Sequence, residues 1–343
     1  MTYRERVLRS IKREAPNSLV VESSISPATW KRYKEELIPV IEGMPNDFTS
    51  IPIPEDFNKM PVGYNLNEIH EDTWGCVWHC GVAGMQGIIK YHPLQDGYDA
   101  LKVPDPHTTS DLLVWNQGEF ESFLSDCIRD NRFIMCGGER LWERVHFLRG
   151  FEKAMLDLAY GSQEIKDLIY KVADYNIESI KKFTSYTEVD CIVFQDDWGE
   201  QNRLMVSPEM WREHFFDSYC KVFQSVKEAG KYVYFHSDGY ILPIVGDIIE
   251  AGADIINLQS GCHSNADIYD VCHKKVCVSV DIDRQHFMPY GTSDDLKKHI
   301  SDIYYDLKGI EGGVWVKMDV YPDVPISNIV AMQELFAELR ADG

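Results

Sequence analysis

The feature that most constrains the fold of this chain is a repeated pattern, in which a short apolar run ends in polar residues and a stretch with helical periodicity follows. Six such runs are FIMCGG (133–138), CIVFQDD (191–197), YVYFHSDG (232–239), DIINLQS (254–260), VCVSVDID (276–283) and GVWVKMD (313–319). Continuous apolar runs that alternate with helices are typical of parallel strands buried on both faces. The pattern therefore predicts an α/β fold with parallel strands.

Amphipathic stretches between these runs predict the helices. They cover residues 151–161, 164–183, 208–230, 241–252 and 293–309. Gly230 and Gly252 stand where a helix should stop before the next strand. SLVVES (18–23) is a candidate early strand. A repeated βα unit favours a (β/α)8 TIM barrel or a doubly wound sheet, and the lack of GxGxxG after an early strand disfavours a dinucleotide-binding Rossmann domain.

The chain length of 343 residues suits either one large barrel with insertions or two medium domains. Residues 43–110 are aromatic and punctuated by proline and glycine, which is typical of an insertion folded onto a barrel. We therefore predict a single domain over residues 1–343, with an N-terminal extension and this insertion.

Composition and charge indicate which binding partners and which cellular compartment to expect. A formal net charge of −21 repels phosphate backbones, so nucleic acid is not an expected partner. No run of about 18 apolar residues is present, so no membrane span is predicted. The nine cysteines lack the spacing of a disulfide scaffold, and the charged start MTYRERVLRSIKRE has no apolar signal region. These features predict a cytoplasmic protein with reduced thiols.

Polar residues at the ends of the apolar runs predict the active site, because catalytic groups of such barrels lie at the carboxyl ends of the strands. These residues are Asp196, Asp197, His236, Asp238, Gln259, Asp281, Asp283 and Asp319. Each one alone also suits a helix N-cap or a solvated loop. The set, with a histidine among its members, favours an active site. Trp142 and Trp198 lie beside these motifs and suit either a flat apolar substrate or ordinary core packing.

His236 and Asp238 are two residues apart on an emerging strand, so both side chains point to one face. An imidazole and a carboxylate there suit zinc or another divalent ion. They equally suit a histidine held by a carboxylate for acid–base chemistry, or a histidine that is only hydrogen-bonded in the rim.

Several long segments resemble the uroporphyrinogen decarboxylase-like superfamily. They are RERVLRSIKREAPNSLVV, EDTWGCVWHCGVAGMQGIIKYHPLQD followed by VPDP, LWERVHFLRGFEKAMLDLA, the stretch from VDCIVFQDDWGEQNR to KYVYFHSDGYI, and YPDVPISNIVAM. The resemblance extends over nearly the whole chain in one register. It implies a (β/α)8 barrel of the uroporphyrinogen decarboxylase type.

Within this superfamily the chain looks like the corrinoid-dependent methyltransferases, such as methylcobalamin:coenzyme M methyltransferases and O-demethylase components. An arginine-rich signature similar to RPVWxMRQAGR, typical of true uroporphyrinogen decarboxylases, is missing from the sequence. The resemblance implies transfer of a methyl group from a small methylated, most simply methoxylated, compound to a corrinoid carried by a partner protein. It also implies a homodimer.

The resemblance further implies a metal site. Superfamily members that use zinc hold it with a His-x-Cys pair and a further Cys near the last strand. Here His236 matches, Asp238 replaces the first Cys, and Asp319 stands near the second. We expect a divalent metal, zinc or a harder ion, held by His236, Asp238 and Asp319, since both thiolates are missing.

The remaining site residues are assigned on the same basis. His236 and Asp197 are the expected catalytic residues. The expected substrate-binding residues are Trp142, Asp196, Trp198, Gln201, Gln259 and Asp281. Two alternatives remain open: a decarboxylase or lyase on the same fold, and a small-molecule binding protein without catalytic activity.

Overall fold

The computed structural model of the protein describes residues 1–14, 18–49, 51–107, 117–307 and 313–341. The strands are β1 (Val20–Ile25), β2 (Ile69–Glu71), β3 (Val77–His79), β4 (Ile88–Tyr91), β5 (Met135–Gly137), β6 (Cys191–Gln195), β7 (Tyr232–Ser237), β8 (Ile255–Leu258), β9 (Cys277–Asp281) and β10 (Val314–Val320).

The α-helices are α1 (Tyr3–Ile11), α2 (Pro27–Tyr33), α3 (Ile38–Glu42), α4 (Gln117–Arg129), α5 (Trp142–Arg149), α6 (Phe151–Tyr160), α7 (Gln163–Thr184), α8 (Pro208–Trp211), α9 (Asp217–Glu228), α10 (Leu242–Ala251), α11 (Asn265–Cys272), α12 (Phe287–Tyr290), α13 (Ser293–Leu307) and α14 (Ile326–Ala341). A single π-helical turn, Arg212–Phe216, joins α8 to α9.

The predicted strands and helices are confirmed. Each of the six apolar runs contains a strand, β5 to β10, and SLVVES contains the start of β1. The five predicted helices correspond to α6, α7, α8 with α9, α10 and α13. Gly230 and Gly252 follow α9 and α10 with φ of +72° and +119°, which suits glycine at a helix end. The end predicted for the last of these helices, residues 308–309, lies outside the described residues.

The chain divides into two compact units. The first unit comprises Met1–Met60, Phe123–Ile134 and Asp254–Gly343, and the second comprises Pro61–Ser122 and Met135–Ala253. In the first unit, parallel strands run in the order β1-β10-β9-β8. In the second unit they run in the order β7-β6-β5. The prediction of a single domain over the whole chain stays a prediction.

The core of the first unit is built around Trp315 on β10. Its buried ring lies 4.9 Å from the ring of Phe48 and 6.4 Å from that of Phe133, measured between centroids. The indole Nε1 donates a hydrogen bond to Ser10 Oγ at 3.0 Å, so the only polar atom of the side chain is satisfied. This contact fixes α1 against the strands of the first unit.

Residues 61–107, part of the segment predicted to be an insertion, belong to the second unit, and strands β2, β3 and β4 form a small antiparallel sheet within them. That residues 43–110 form an insertion stays a prediction. Arg144 of α5 anchors residues 61–107, since its guanidinium contacts Asp72 at 2.7 Å and Glu139 at 3.3 Å. Asp72 also accepts hydrogen bonds from the backbone of Trp74 and the indole of Trp78. A buried ion pair with several hydrogen bonds holds a definite geometry. Among the described helices, none is long and apolar enough to cross a membrane.

The core contact of Trp315 predicts a large stability effect. Trp315→Ala removes a fully buried indole and its hydrogen bond to Ser10, so we expect a loss of about 3 to 5 kcal/mol in the free energy of unfolding. Urea denaturation followed by circular dichroism measures the loss. Tyr305→Ala is the control, since Tyr305 is 56% exposed. Equal effects of the two substitutions would contradict this account of the core.

Candidate active site

Three side chains of types that can ligate a metal ion meet at the carboxyl ends of β6 and β7. Asp197, His236 and Asp238 each offer one ligand atom, and these atoms all lie within 4.8 Å of one another. His236 Nε2 is 3.5 Å from Asp238 Oδ1 and 3.8 Å from Asp197 Oδ1. The sequence predicted that all three residues belong to the site, and the structure brings them together. We call these three residues the His236 cluster.

Two glycines allow this meeting. Gly199 follows β6 and Gly239 follows β7, and a Cβ on Gly239, where φ is +76°, would lie 2.2 Å from the backbone carbon of Gly199. The backbone contact continues through hydrogen bonds from Gly199 N to Asp238 O and from Tyr240 N to Glu200 O. Only residues without a side chain fit such an approach. This pair was not predicted from the sequence, although both glycines directly follow the predicted site motifs.

Asp196 holds several elements of the second unit together. Its buried carboxylate accepts hydrogen bonds from the backbone amides of Leu141, Trp142 and Glu143, which begin α5. The hydroxyl of Tyr219 donates a further one at 2.5 Å. Burial raises the pKa of Asp196 to about 6, although these hydrogen bonds oppose the shift. The oxygens of Asp196 are thus used within the protein, and its role in substrate binding stays a prediction.

The two tryptophans predicted to bind substrate are both fully buried. Trp142 and Trp198 stack with their ring centroids 5.1 Å apart, and Phe215 of the π-helical turn packs against both. Trp198 Nε1 donates to the hydroxyl of Tyr219 at 2.9 Å. Burial and the neighbouring Asp196 raise the pKa of Tyr219 well above its usual range. This packing supports the loop that carries Asp197.

A cavity of about 410 Å³ lies between α5 and the small sheet. It is lined by aromatic rings and charged groups, among them Trp78, Arg140, Glu143, His146, Phe147 and Phe151. Burial raises the pKa of Glu143 to about 8, the Arg140 guanidinium opposes this shift, and the carboxylates of Asp197 and Asp196 add to it. A carboxyl group that keeps its proton near neutral pH can donate a hydrogen bond or a proton.

Neither Glu143 nor this cavity was predicted from the sequence. Glu143 stands in the segment LWERVHFLRG, which carries part of the family resemblance, but nothing in its local pattern distinguishes it from a surface glutamate. The raised pKa of Glu143 is a property of the tertiary structure, because it depends on burial and on the carboxylates that follow β6.

The other predicted substrate-binding residues have different surroundings. Gln201 is exposed in the loop after β6. Gln259 and Asp281 belong to the first unit and are buried there. Asp281 accepts a hydrogen bond from the amide of Asn257 at 2.8 Å. The roles of Gln201, Gln259 and Asp281 in binding substrate stay predictions.

Two further aspartates of the first unit make local contacts. Asp283 accepts hydrogen bonds from the backbone amides of Gln285 and His286, so its side chain stabilises the turn that precedes α12. Asp319 forms an ion pair with Lys317 at 3.2 Å and accepts a hydrogen bond from Ser24 at 2.5 Å. The prediction that Asp319 is a metal ligand stays a prediction.

Comparison with known proteins assigns the family. The family model described as uroporphyrinogen decarboxylase (URO-D) matches residues 145–339, which is more than half of the chain. The chain belongs to the uroporphyrinogen decarboxylase family. The match covers β6 with β7 and therefore the whole His236 cluster, and it extends to α14. No curated protein sequence matches this member of the family.

Solved structures show the fold. A methyltransferase from Methanosarcina mazei has a TM-score of 0.72 with this URO-D family member, at 17% sequence identity, over 98% of this chain and 99% of that one. A B12-independent methionine synthase from Shewanella sp. W3-18-1 has a TM-score of 0.41 at 12% identity, over 64% of this chain and 65% of that one. The first likeness, together with the parallel strands and flanking helices, confirms the predicted α/β barrel of the uroporphyrinogen decarboxylase type.

The glycine contact beside the site predicts a local effect on stability. Gly239→Ala places a methyl group against the Gly199 backbone at positive φ, so we expect a loss of about 3 kcal/mol in the free energy of unfolding. Gly230→Ala is the matched control, because φ there is also positive but no atom lies within 4 Å of the added Cβ. The control should lose only about 1 kcal/mol. Equal losses in urea denaturation would refute the steric account.

His146 predicts a dependence of stability on pH. Burial lowers the pKa of His146 to about 3, and His92, Arg140 and Arg144 add to the shift. The pKa of a histidine in an unfolded chain is about 6.5. The contribution of His146 to the free energy of unfolding is therefore complete above pH about 6.5 and is lost as the pH falls from there towards 3. His146→Phe keeps a ring in place, so between pH 7 and 5 we expect the wild type to lose about 1 to 2 kcal/mol more than the variant. Parallel losses in urea denaturation at both pH values would contradict this.

Proposed function

We propose that this chain is a methyltransferase that moves a methyl group from a small methylated, most simply methoxylated, compound to the corrinoid of a partner protein. The observation that carries the proposal is the His236 cluster at the carboxyl ends of β6 and β7 in a URO-D family member. Barrels of this kind place their chemistry at these strand ends. The fold shared with a methyltransferase supports the proposal.

The His236 cluster fits a divalent metal. One imidazole nitrogen and two carboxylate oxygens form a donor set for borderline or hard ions, in contrast to the thiolates that favour a soft zinc site. His236, Asp197 and Asp238 would hold the ion, and the expected ligand role of Asp319 stays a prediction. When bound, such an ion acts as a Lewis acid towards the heteroatom that carries the methyl group.

Methyl transfer requires activation of the leaving group. The methyl carbon forms a bond to cobalt(I) of the corrinoid, the electron pair of the carbon–oxygen bond stays on oxygen, and that oxygen takes up a proton. An alkoxide or phenoxide is a poor leaving group, so polarisation or protonation of the oxygen lowers the barrier. In this chain the backbone contact of Gly199 with Gly239 fixes the two loops that carry the ligands, and positioning of this kind contributes to rate.

The cavity beside α5 supports a small substrate with an apolar part. Its volume of about 410 Å³ lies in the range of small-molecule sites. The rings of Trp78, Phe147 and Phe151 offer an apolar wall, and Glu143 and Arg140 offer polar groups. Aromatic walls with a few polar groups are typical of sites for planar or methylated compounds.

Methyl transfer by the purified chain tests the proposal. The chain is incubated with cob(I)alamin and a panel of methoxylated compounds, and formation of methylcobalamin is followed by absorbance and mass spectrometry. We expect turnover of at least one compound, and a fall of about 100-fold or more in kcat/KM for His236→Ala, since ligand loss removes Lewis-acid assistance. His107→Ala is the control, because His107 is exposed.

Other outcomes point to the alternatives. Release of carbon dioxide from a carboxylated substrate without methyl transfer favours a decarboxylase, and saturable binding of a compound without turnover favours a binding protein. Either result, or equal activity of the wild type and His236→Ala, overturns the methyltransferase proposal. A cytoplasmic location and a homodimer are further parts of the proposal that localisation imaging and analytical ultracentrifugation test.

The ligand set predicts a metal preference that one substitution should change. Wild-type protein loaded by dialysis with equimolar zinc, manganese and cobalt should retain a divalent ion at a ratio near one per chain, as measured by mass spectrometry. Asp238→Cys introduces a thiolate, so the retained metal should shift towards zinc. Asp99→Cys is the control, since Asp99 lies outside the His236 cluster. Absence of stoichiometric metal in the wild type removes the metal from the proposal.

A further inference from the structure

Three arginines gather near one carboxylate in the first unit. Arg6 of α1 and Arg340 of α14 both form ion pairs with Asp47. Arg132 lies 3.9 Å from the centre of the Tyr3 ring, and its guanidinium donates to the carbonyl of Asn46, the neighbour of Asp47. We call Arg6, Arg132 and Arg340 the arginine cluster.

The positive charge of this cluster exceeds its negative charge. Arg6 and Arg340 share Asp47, which is fully buried and also accepts a hydrogen bond from the backbone of Val21. Arg132 binds the adjacent carbonyl of Asn46, Asp130 pairs with Arg129, and Glu5 accepts a hydrogen bond from the backbone of Thr2. Among the described residues, the three guanidinium groups of the cluster thus have one carboxylate in direct contact, in a chain whose formal net charge is −21.

The arginines are largely removed from water. The side chains of Arg6 and Arg340 are only 15% and 16% exposed. Burial lowers the pKa of Arg340, Asp47 raises it, and the nearby Arg6 and Arg132 lower it again. The Nε atoms of Arg6 and Arg132 are buried without a hydrogen-bond partner among the described residues. Unbalanced charge in such surroundings costs free energy, and an added anion offsets that cost.

A cavity opens onto Arg6 and Arg340 of the cluster. It has a volume of about 450 Å³, and Tyr3, Asp130 and Asn131 also line it. Guanidinium groups bind phosphoryl oxygens with paired hydrogen bonds, and their weak hydration suits a half-buried site. The ring of Tyr3 and the amide of Asn131 offer further contacts for the rest of a small molecule.

We propose that the cavity at the arginine cluster binds a phosphoryl group, free or carried on a small molecule, as a second ligand site of this protein. The observations that carry it are the excess of guanidinium groups over carboxylates, their burial and the adjoining cavity. The site does not depend on the methyltransferase proposal, because all its residues belong to the first unit and none belongs to the His236 cluster.

Binding to the full chain tests the proposal. Isothermal calorimetry measures the Kd of inorganic phosphate and of glycerol 3-phosphate, with sodium chloride as the reference at equal ionic strength. We expect saturable binding of at least one of the two, and a thermal midpoint raised by roughly 2 °C at saturation. Tighter binding of the ester assigns the site to phosphorylated small molecules, and tighter binding of inorganic phosphate assigns it to the free ion.

Variants locate the site. Arg6→Met should weaken binding by about tenfold or more, since a charge-assisted hydrogen bond is lost. Arg340→Met removes the second guanidinium that lines the cavity and gives a second test if Arg6→Met does not fold. Arg9→Met is the matched control, because Arg9 lies on the same helix as Arg6 but does not line the cavity. No phosphate binding by the wild type, or binding by Arg6→Met and Arg340→Met equal to that of Arg9→Met, overturns the proposal.

Discussion

The second unit of this protein depends on one buried carboxylate. Asp196 stands at the end of β6 and accepts hydrogen bonds from three backbone amides at the start of α5 and a short one from the hydroxyl of Tyr219. A buried charge is stable only when such partners surround it. Strand, helix and aromatic core are therefore held in one geometry, and the adjacent Asp197 is placed beside His236 as a consequence.

Much of the fold could be predicted from the sequence because its helices and strands follow from local residue patterns. Apolar runs and helical periodicity are properties of neighbouring residues, so β5 to β10 and the helices α6, α7, α8 with α9, α10 and α13 were identified correctly. The family resemblance added the barrel type, which the shared fold confirms. The small sheet β2-β3-β4 was foreseen only as an insertion, since its strands are three or four residues long and carry little periodic signal.

The site was predictable only in part, for a physical reason. Asp197 follows β6, Asp238 follows β7, and His236 lies near the end of β7. Since strand ends of a parallel sheet meet, the proximity of these residues could be inferred from the sequence. Asp196 has the same position in the pattern but caps α5, and no local signal separates a capping aspartate from a ligand. Glu143 was not predicted as a site residue because its raised pKa arises from burial and from charges distant in the sequence.

The contact between Gly199 and Gly239 has a consequence for which residues of the two loops can be exchanged. Because main-chain atoms set the separation of the two loops, the side chain at the ligand position of the second loop can be exchanged without moving either loop. At the metal site proposed above, one substitution at position 238 can thus exchange a carboxylate for a thiolate while the rest of the framework keeps its place. A change at either glycine, in contrast, requires a new path for the whole segment.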